Sequence, residues 1–244
     1  MREISKDSLG DAIYRQMCRD LVRGKLRPDQ KVTIRSLAES LGTSSTPVRD
    51  AVQRLLRDNA LEQRTVRDVR VPVLTIKQYL EISRIRAELE GLAAEQAAKR
   101  AQDKDVARLR RLVQRNEDAI ASARWPQATE SNQQFHFALA EIADMPVLLN
   151  MLDRIWLRMG PLLAGYYAST NQDMVEHHHI IIAACESHEP EKARAAMRAD
   201  IETAREGITA YIATLNSALN GRLSLGQTDQ IGESLDFIQP GNPE

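Results

Sequence analysis

Four groups of polar residues have types and spacings that could do chemistry. In Leu41-Gly42-Thr43-Ser44-Ser45-Thr46-Pro47-Val48-Arg49-Asp50-Ala51-Val52, short hydroxyl side chains and one arginine lead into an apolar run. A helix that enters the major groove of DNA needs that order, because its first turn lies near base edges and phosphates while later apolar residues anchor it. Ser44, Ser45, Thr46 and Arg49 meet the requirement. Taken one at a time, Ser44 reads better as a helix cap and Arg49 as a solvated charge; the combination is what favours DNA. The second group is Asn132 and His136, four residues apart, on one helix face and within reach of one small ion or ligand. The third is Glu176-His177-His178-His179, which opens an apolar helix. There His177, Ile180, Ile181 and Ala184 share a stripe, so His177 is the histidine expected to face inward, with His178 and His179 diverging; surface polarity is the alternative for the whole run. The fourth is Asp200, on a stripe with Ala196, Met197 and Ala204, where a carboxylate facing a bundle needs a partner.

The elements that must position these groups divide the chain in two. Leu9, Ile13, Met17 and Leu21 recur every fourth residue and predict a helix over 5–24 that stops at Gly24. Thr33 caps a second helix carrying Leu37, Ala38 and Leu41, which Gly42 ends, and Ser44 caps a third carrying Val48, Val52, Leu55 and Leu56. Val69, Val71 and Val73 then alternate with Arg70 and Pro72, a strand expected to pair with residues near 62–66 through a turn at Arg67-Asp68. Three helices and a hairpin make a winged helix. From Thr75 onward the composition is helical, and caps or breaks at Asp103, Pro126, Asp144-Met145-Pro146, Thr170-Asn171 and Pro190 predict six helices, at 76–100, 104–122, 126–143, 147–166, 172–187 and 190–217. The expected fold is therefore mainly α: a winged helix-turn-helix over 1–74, an all-helical bundle over 75–220, and a mobile tail over 221–244 rich in Gly, Gln, Asp, Ser and Pro.

Composition narrows the function classes. With 244 residues and 43% hydrophobic content the chain can bury real cores. Its two cysteines, Cys18 and Cys185, form no metal or disulfide pattern, and the sequence shows neither a bilayer-length apolar run nor a secretion signal, so a cytoplasmic protein without membrane contact is expected. The net charge of −1 conceals an asymmetry. Residues 1–74 carry fifteen Lys/Arg against ten Asp/Glu, and residues 75–244 carry eighteen against twenty-four, which assigns any polyanion to the first part.

The N-terminal stretch resembles the signature of the GntR regulators: Leu37-Ala38, Leu41-Gly42, Ser44, Thr46-Pro47-Val48-Arg49-Asp50-Ala51 and the pair Leu55-Leu56 stand as in that family, across residues 9–74. The helical region resembles the FCD effector domain of the FadR subfamily, so only the tail falls outside the resemblance. Carried over residue by residue, the family's DNA contacts fall on Arg35, Ser44, Ser45, Thr46, Arg49 and, at the wing tip, Arg67. Ser45 stands where the family commonly has arginine, which removes a side chain able to pair with guanine or phosphate. Asp68 stands where glycine is common, an anion unfavourable beside phosphate unless it points away or pairs with Arg67 or Arg70. In the bundle the resemblance implies a divalent metal, zinc, nickel or manganese, held by Asn132, His136, His177 and Asp200 and in turn holding an effector oxygen. Asn132 replaces the family's aspartate and Asp200 its third histidine, so the formal charge of the set is kept. A metal-free His136–Asp200 pair is the alternative.

Arg86, in Arg86-Ala87-Glu88-Leu89-Glu90, matches an arginine of the FCD pattern and could clamp an effector carboxylate; an ion pair with Glu90 fits the spacing equally. Together these readings imply a ligand-responsive transcription regulator: a homodimer on double-stranded operator DNA, repressing until a small organic acid binds, with no organic cofactor. The alternative is a metal-dependent enzyme built on the histidine cluster, against which stands the lack of a recognisable nucleophile or general base beside it.

Overall fold

The computed structural model describes residues 9–170 and 175–224, with side chains to residue 219. Helix α1 (Leu9–Val22) leads into a short strand β1 (Lys31–Val32), helices α2 (Ile34–Ser40) and α3 (Ser45–Arg57), and the hairpin β2 (Glu62–Thr65) and β3 (Asp68–Arg70). The antiparallel sheet has the order β1-β3-β2. Thr33 caps α2 as expected, its hydroxyl accepting from the Ser36 amide at 3.2 Å. Between α2 and α3 the chain turns on Gly42 at φ +60°, a left-handed conformation in which a side chain is strained. Val48, Val52 and Leu55 of α3 pack onto Ile13, Met17 and Leu21 of α1 to form the core of this head.

Two details differ from the sequence reading. The hairpin turns at Val66-Arg67, one residue earlier than Arg67-Asp68, with an irregularity in pairing between Gln63 and Thr65. Val73 lies beyond the strand; Val71 instead exchanges backbone bonds with Gln30 and Asp29, beside the two-residue strand β1, which had no pattern to reveal it.

Helices α4 (Ile76–Arg100), α5 (Asp103–Ala121), α6 (Trp125–Ile142), α7 (Pro146–Thr170), α8 (Glu176–Glu186), α9 (Pro190–Thr203) and α10 (Arg205–Ser224) make the bundle. The expected limits of the first three hold to within a residue. The single helix expected over 190–217 is two, broken at Ala204, whose amide bonds back to Glu202. No glycine or proline marks the break; the Thr203 hydroxyl bonds the Ala199 carbonyl at 2.8 Å, a local competition that bends helices. Helix α10 runs to Ser224, through the first residues of the expected tail, and 225–244 lie outside the described residues, as do 171–174.

Head and bundle meet along α7. Leu157 of α7 is buried in the head's own core, and a Cβ at Gly160 would come within 2.7 Å of the Val22 Cα, so glycine is what lets α1 lie this close. Arg23, just after α1, pairs with Glu130 of α6 at 2.6 Å. The same helix contributes Trp156, Leu163 and Tyr167 to the interior of the bundle.

Candidate functional site

The leading end of α3 is turned outward. Ser44, Ser45, Thr46 and Arg49 are all exposed, while Val48, Ala51, Val52 and Leu55 of the same helix are buried. Ser44 occupies the N-cap position with extended backbone, but its side chain makes no cap bond and is exposed. Arg35, at the start of α2, is nine-tenths exposed and leans on Glu39 at 2.9 Å, a surface pair of little energetic weight. Arg67 is exposed at the hairpin turn beside Val66, which is 89% exposed. Asp68 pairs with Arg70 at 3.0 Å, and Arg70 also bonds the Asp29 carbonyl at 3.0 Å, so the anion is neutralised at the base of the wing rather than left beside its tip.

A second group of polar side chains converges inside the bundle. His136 from α6, His178 from α8 and Asp200 from α9 bring potential ligand atoms within 4.8 Å of one another, and both histidines are essentially fully buried. Asp200 presents one oxygen 3.4 Å from His178 Nε2 and the other 3.6 Å from His136 Nε2. Neither spacing makes a hydrogen bond, and both Nε2 atoms and the buried Asn132 Oδ1 lack a hydrogen-bond partner. Ligands around a four-coordinate zinc ion stand roughly 3.3–3.5 Å apart, given metal–ligand bonds of about 2.0–2.2 Å. Two buried ring nitrogens left without a hydrogen bond, each at about that distance from a carboxylate oxygen, have the chemistry of a divalent cation site.

The histidine in this cluster is His178, not the expected His177. The inward stripe of α8 is His178, Ile181, Ile182 and Cys185, one residue out of phase with the predicted one; Ile180 is 40% exposed, and His177 lies half-buried at the edge. Residue 178 shares a face with 181, 182 and 185 as well as 177 does with 180, 181 and 184, and the buried Cys185 was the signal that could have separated them. His178 stacks on Phe135 with ring centres 4.1 Å apart, and burial, aided by the neighbouring histidines, holds its pKa well below the usual histidine range. His179 is exposed and pairs with Glu117 at 2.7 Å.

Arg86 is buried, and its Nε and Nη2 both donate to Glu90, at 2.6 and 3.1 Å. The fork expected to clamp an effector carboxylate is therefore taken by Glu90, and Nη1 faces the Met159 sulfur at 4.0 Å. Glu90 also accepts from Trp156 Nε1 at 3.2 Å and lies 2.6 Å from His136 Nδ1. Burial alone would raise the Glu90 carboxyl; Arg86 and His136 outweigh it and hold the group at about 2. Burial raises Asp200, against the opposing influence of His136 and Arg86. Arg86, Asn132, His136 and Asp200 line one cavity of about 20 Å³ with Tyr79, Ser83, Tyr167 and, from α10, Ile208. A space of that size holds a water or an ion. The buried Ser83 hydroxyl, beside Tyr79, adds a polar group that the sequence reading did not single out.

Comparison with known proteins supplies the remaining findings. Residues 9–71 match the bacterial regulatory proteins of the gntR family and residues 81–203 match the FCD domain. The chain is 34% identical over 175 residues to the HTH-type transcriptional regulator McbR of Escherichia coli K12, covering 70% of this chain and 79% of that protein. It is 26% identical over 199 residues to a probable D-xylose utilization operon transcriptional repressor of Paenarthrobacter nicotinovorans, covering 80% and 87%. The solved structure of E. coli McbR/YncC superposes with a TM-score of 0.74 at 31% identity, over 88% of this chain and all of that one.

Proposed function

Since the chain belongs to the gntR family of bacterial regulatory proteins and carries its FCD domain, we propose that this DNA-binding transcription regulator is a cytoplasmic homodimer, and a repressor whose hold on operator DNA changes when a small organic acid binds in the bundle. The relatives it matches are regulators, which sets the enzyme alternative aside. No helix among the described residues is long and apolar enough to cross a membrane. The observation that carries the reading is the outward presentation of Ser44, Ser45, Thr46 and Arg49 at the head of α3. A dimer follows from how such heads read DNA, as two half-sites about one helical turn apart, each head alone having limited affinity. Repression accords with the description of the Paenarthrobacter relative as a repressor.

Asn132, His136, His178 and Asp200 are the residues that would hold a divalent ion, zinc, nickel or manganese; the unpaired buried atoms of Asn132 and the two histidines, and the Asp200 carboxylate beside both rings, support this. When bound, such an ion supplies a Lewis acid to which an effector oxygen can bind. Around it, Ser83 Oγ and Arg86 Nη1 are the groups left to orient an acid, since the Nε–Nη2 edge of Arg86 belongs to Glu90. A cavity of about 20 Å³ is too small for an organic acid, so entry requires the surrounding helices to part. Helix α7 is in the path of that motion: Leu163 and Tyr167 line the cavity, while Leu157 and Gly160, on the same helix, hold the head. Ligand binding that repacks α7 thereby reorients the DNA-binding surface.

Two measurements test the reading. Arg49→Ala is expected to weaken operator binding by roughly 10- to 100-fold, about the 1–3 kcal/mol carried by a good base contact, while leaving the thermal stabilisation by ligand intact. Unchanged operator affinity sinks the assignment of α3. Thermal denaturation against a panel of small organic acids, with and without a chelator, reads effector class and metal dependence together.

A further inference from the structure

Glu90 sits at the centre of a buried network that local sequence spacing reveals only in part. It is 1% exposed, and its two oxygens receive the Nε and Nη2 of Arg86 and the Nε1 of Trp156. Arg86 also lies over the Trp156 ring, 4.4 Å from its centre, so guanidinium, carboxylate and indole fix one another. The remaining approach to Glu90 is His136 Nδ1, 2.6 Å from Oε2 although not well aligned along its N–H line. A carboxylate already paired with a guanidinium accepts and does not donate. At 2.6 Å, even off that line, a carboxylate oxygen repels a bare ring nitrogen and attracts an N–H, so Nδ1 is the nitrogen that carries the hydrogen.

We infer that Glu90 is a positioning residue for the buried cation site: it fixes His136 in the Nδ1–H tautomer and so leaves the Nε2 lone pair directed at Asp200 and His178, where a divalent metal ion would be held. The inference rests on the metal reading proposed above and adds a residue to it that ligates nothing itself. Metal-binding histidines characteristically donate their second ring nitrogen to a carboxylate or carbonyl, which sets the tautomer, orients the ring and raises its basicity. Here Arg86 serves the same end at one remove. By donating to both oxygens of Glu90 it keeps that carboxylate an acceptor, which accounts for an arginine buried beside the site with its Nε–Nη2 edge given to Glu90. Trp156 anchors the arrangement to α7, the helix whose Leu157 enters the head's core.

The test begins with the metal-free, full-length protein. Long-range proton–nitrogen correlation spectra of the histidine rings should show His136 protonated at Nδ1; protonation at Nε2 overturns the inference whatever the metal does. Zinc, nickel and manganese titrations by calorimetry then compare wild type with Arg86→Met/Glu90→Gln. Removing both charges avoids the uncompensated buried arginine that Glu90→Gln alone would leave, a change that threatens folding. An amide both donates and accepts, so the tautomer is no longer fixed, and metal affinity should fall roughly 10- to 100-fold with the circular dichroism spectrum unchanged. Equal affinity in the two proteins overturns the role of Glu90 and leaves the metal site standing. A wild-type protein that takes up none of the three ions overturns both.

Discussion

Helices α3 and α8 open alike, on polar residues ahead of an apolar stretch, and the fold uses them in opposite ways. In α3, Ser44, Ser45, Thr46 and Arg49 stay in solvent and the buried face begins behind them at Val48. In α8, one residue of the opening run, His178, turns fully inward to meet His136 and Asp200, while His179 stays outside with Glu117. The difference is what each helix has to cover. α3 lies across α1 at the surface of a small head and can bury only its later turns. α8 is packed between α5 and α9, so even its first turn has a neighbour on the inside. Polar residues at the start of a helix thus end up on an outward surface or in a buried polar cluster according to the packing around that first turn.

The sharpest way to break this contrast is to exchange the roles of adjacent histidines. With zinc, nickel or manganese present at about a thousand times its dissociation constant, a bound ion stabilises the folded chain by about 4 kcal/mol. His178→Leu should abolish that stabilisation, seen as loss of the metal-induced rise in melting temperature, whereas His177→Leu should keep it. The metal-free His178→Leu protein should be no less stable than wild type, because leucine removes two buried nitrogens that lack partners. If His177→Leu is the variant that loses the metal, the orientation of α8 described above is wrong.

That pair of residues also marks where sequence reading stopped. The limits of α4 and the outward hydroxyl run of α3 were legible because local signals set them: the Thr75–Gln78 capping box, and the glycine at the turn before α3. The phase of α8 was not, since two stripes one residue apart are both apolar and only contact with α6 and α9 decides between them. The division of α9 from α10 left no glycine or proline to read. The Arg86–Glu90 pair was visible as an i,i+4 spacing, but its meeting with His136 and Trp156 joins residues 46 and 66 positions away in the chain and is fixed by packing alone. Local chemistry therefore identified Asn132, His136 and Asp200 as candidates, and non-local packing supplied His178 and Glu90.

The contrast has a smaller signature in the pH dependence of stability. A histidine outside a folded protein titrates near about 6.5, whereas His178, buried beside His136, is held well below that range. Between those two values the unfolded chain binds a proton that the folded chain refuses, so stability falls as pH falls, by about 1.4 kcal/mol per unit for one such group. Asp200, raised by burial, works the other way and flattens the slope at its acid end. Denaturant unfolding of the metal-free protein from pH 7.5 to 5.5 should show this loss below about pH 6.5, and His178→Leu should remove it. A slope that survives His178→Leu but disappears in His177→Leu would reverse the assignment.

The smallest effect on stability is expected at the other end of the comparison. Ser45→Arg places a long cation on the leading turn of α3, where residue 45 is exposed. Folding stability should change by no more than about 0.5 kcal/mol, as for surface substitutions in general. DNA binding should respond differently. An added guanidinium within reach of a phosphate neutralises one more charge, so the salt dependence of binding should steepen by about one unit in a plot of log affinity against log salt. If the arginine instead meets a base edge, the gain will be confined to sequences that present guanine there, and comparing operator with unrelated duplex separates the two. A loss of several kcal/mol in stability would mean that Ser45 is covered, and α3 would then resemble α8 rather than oppose it.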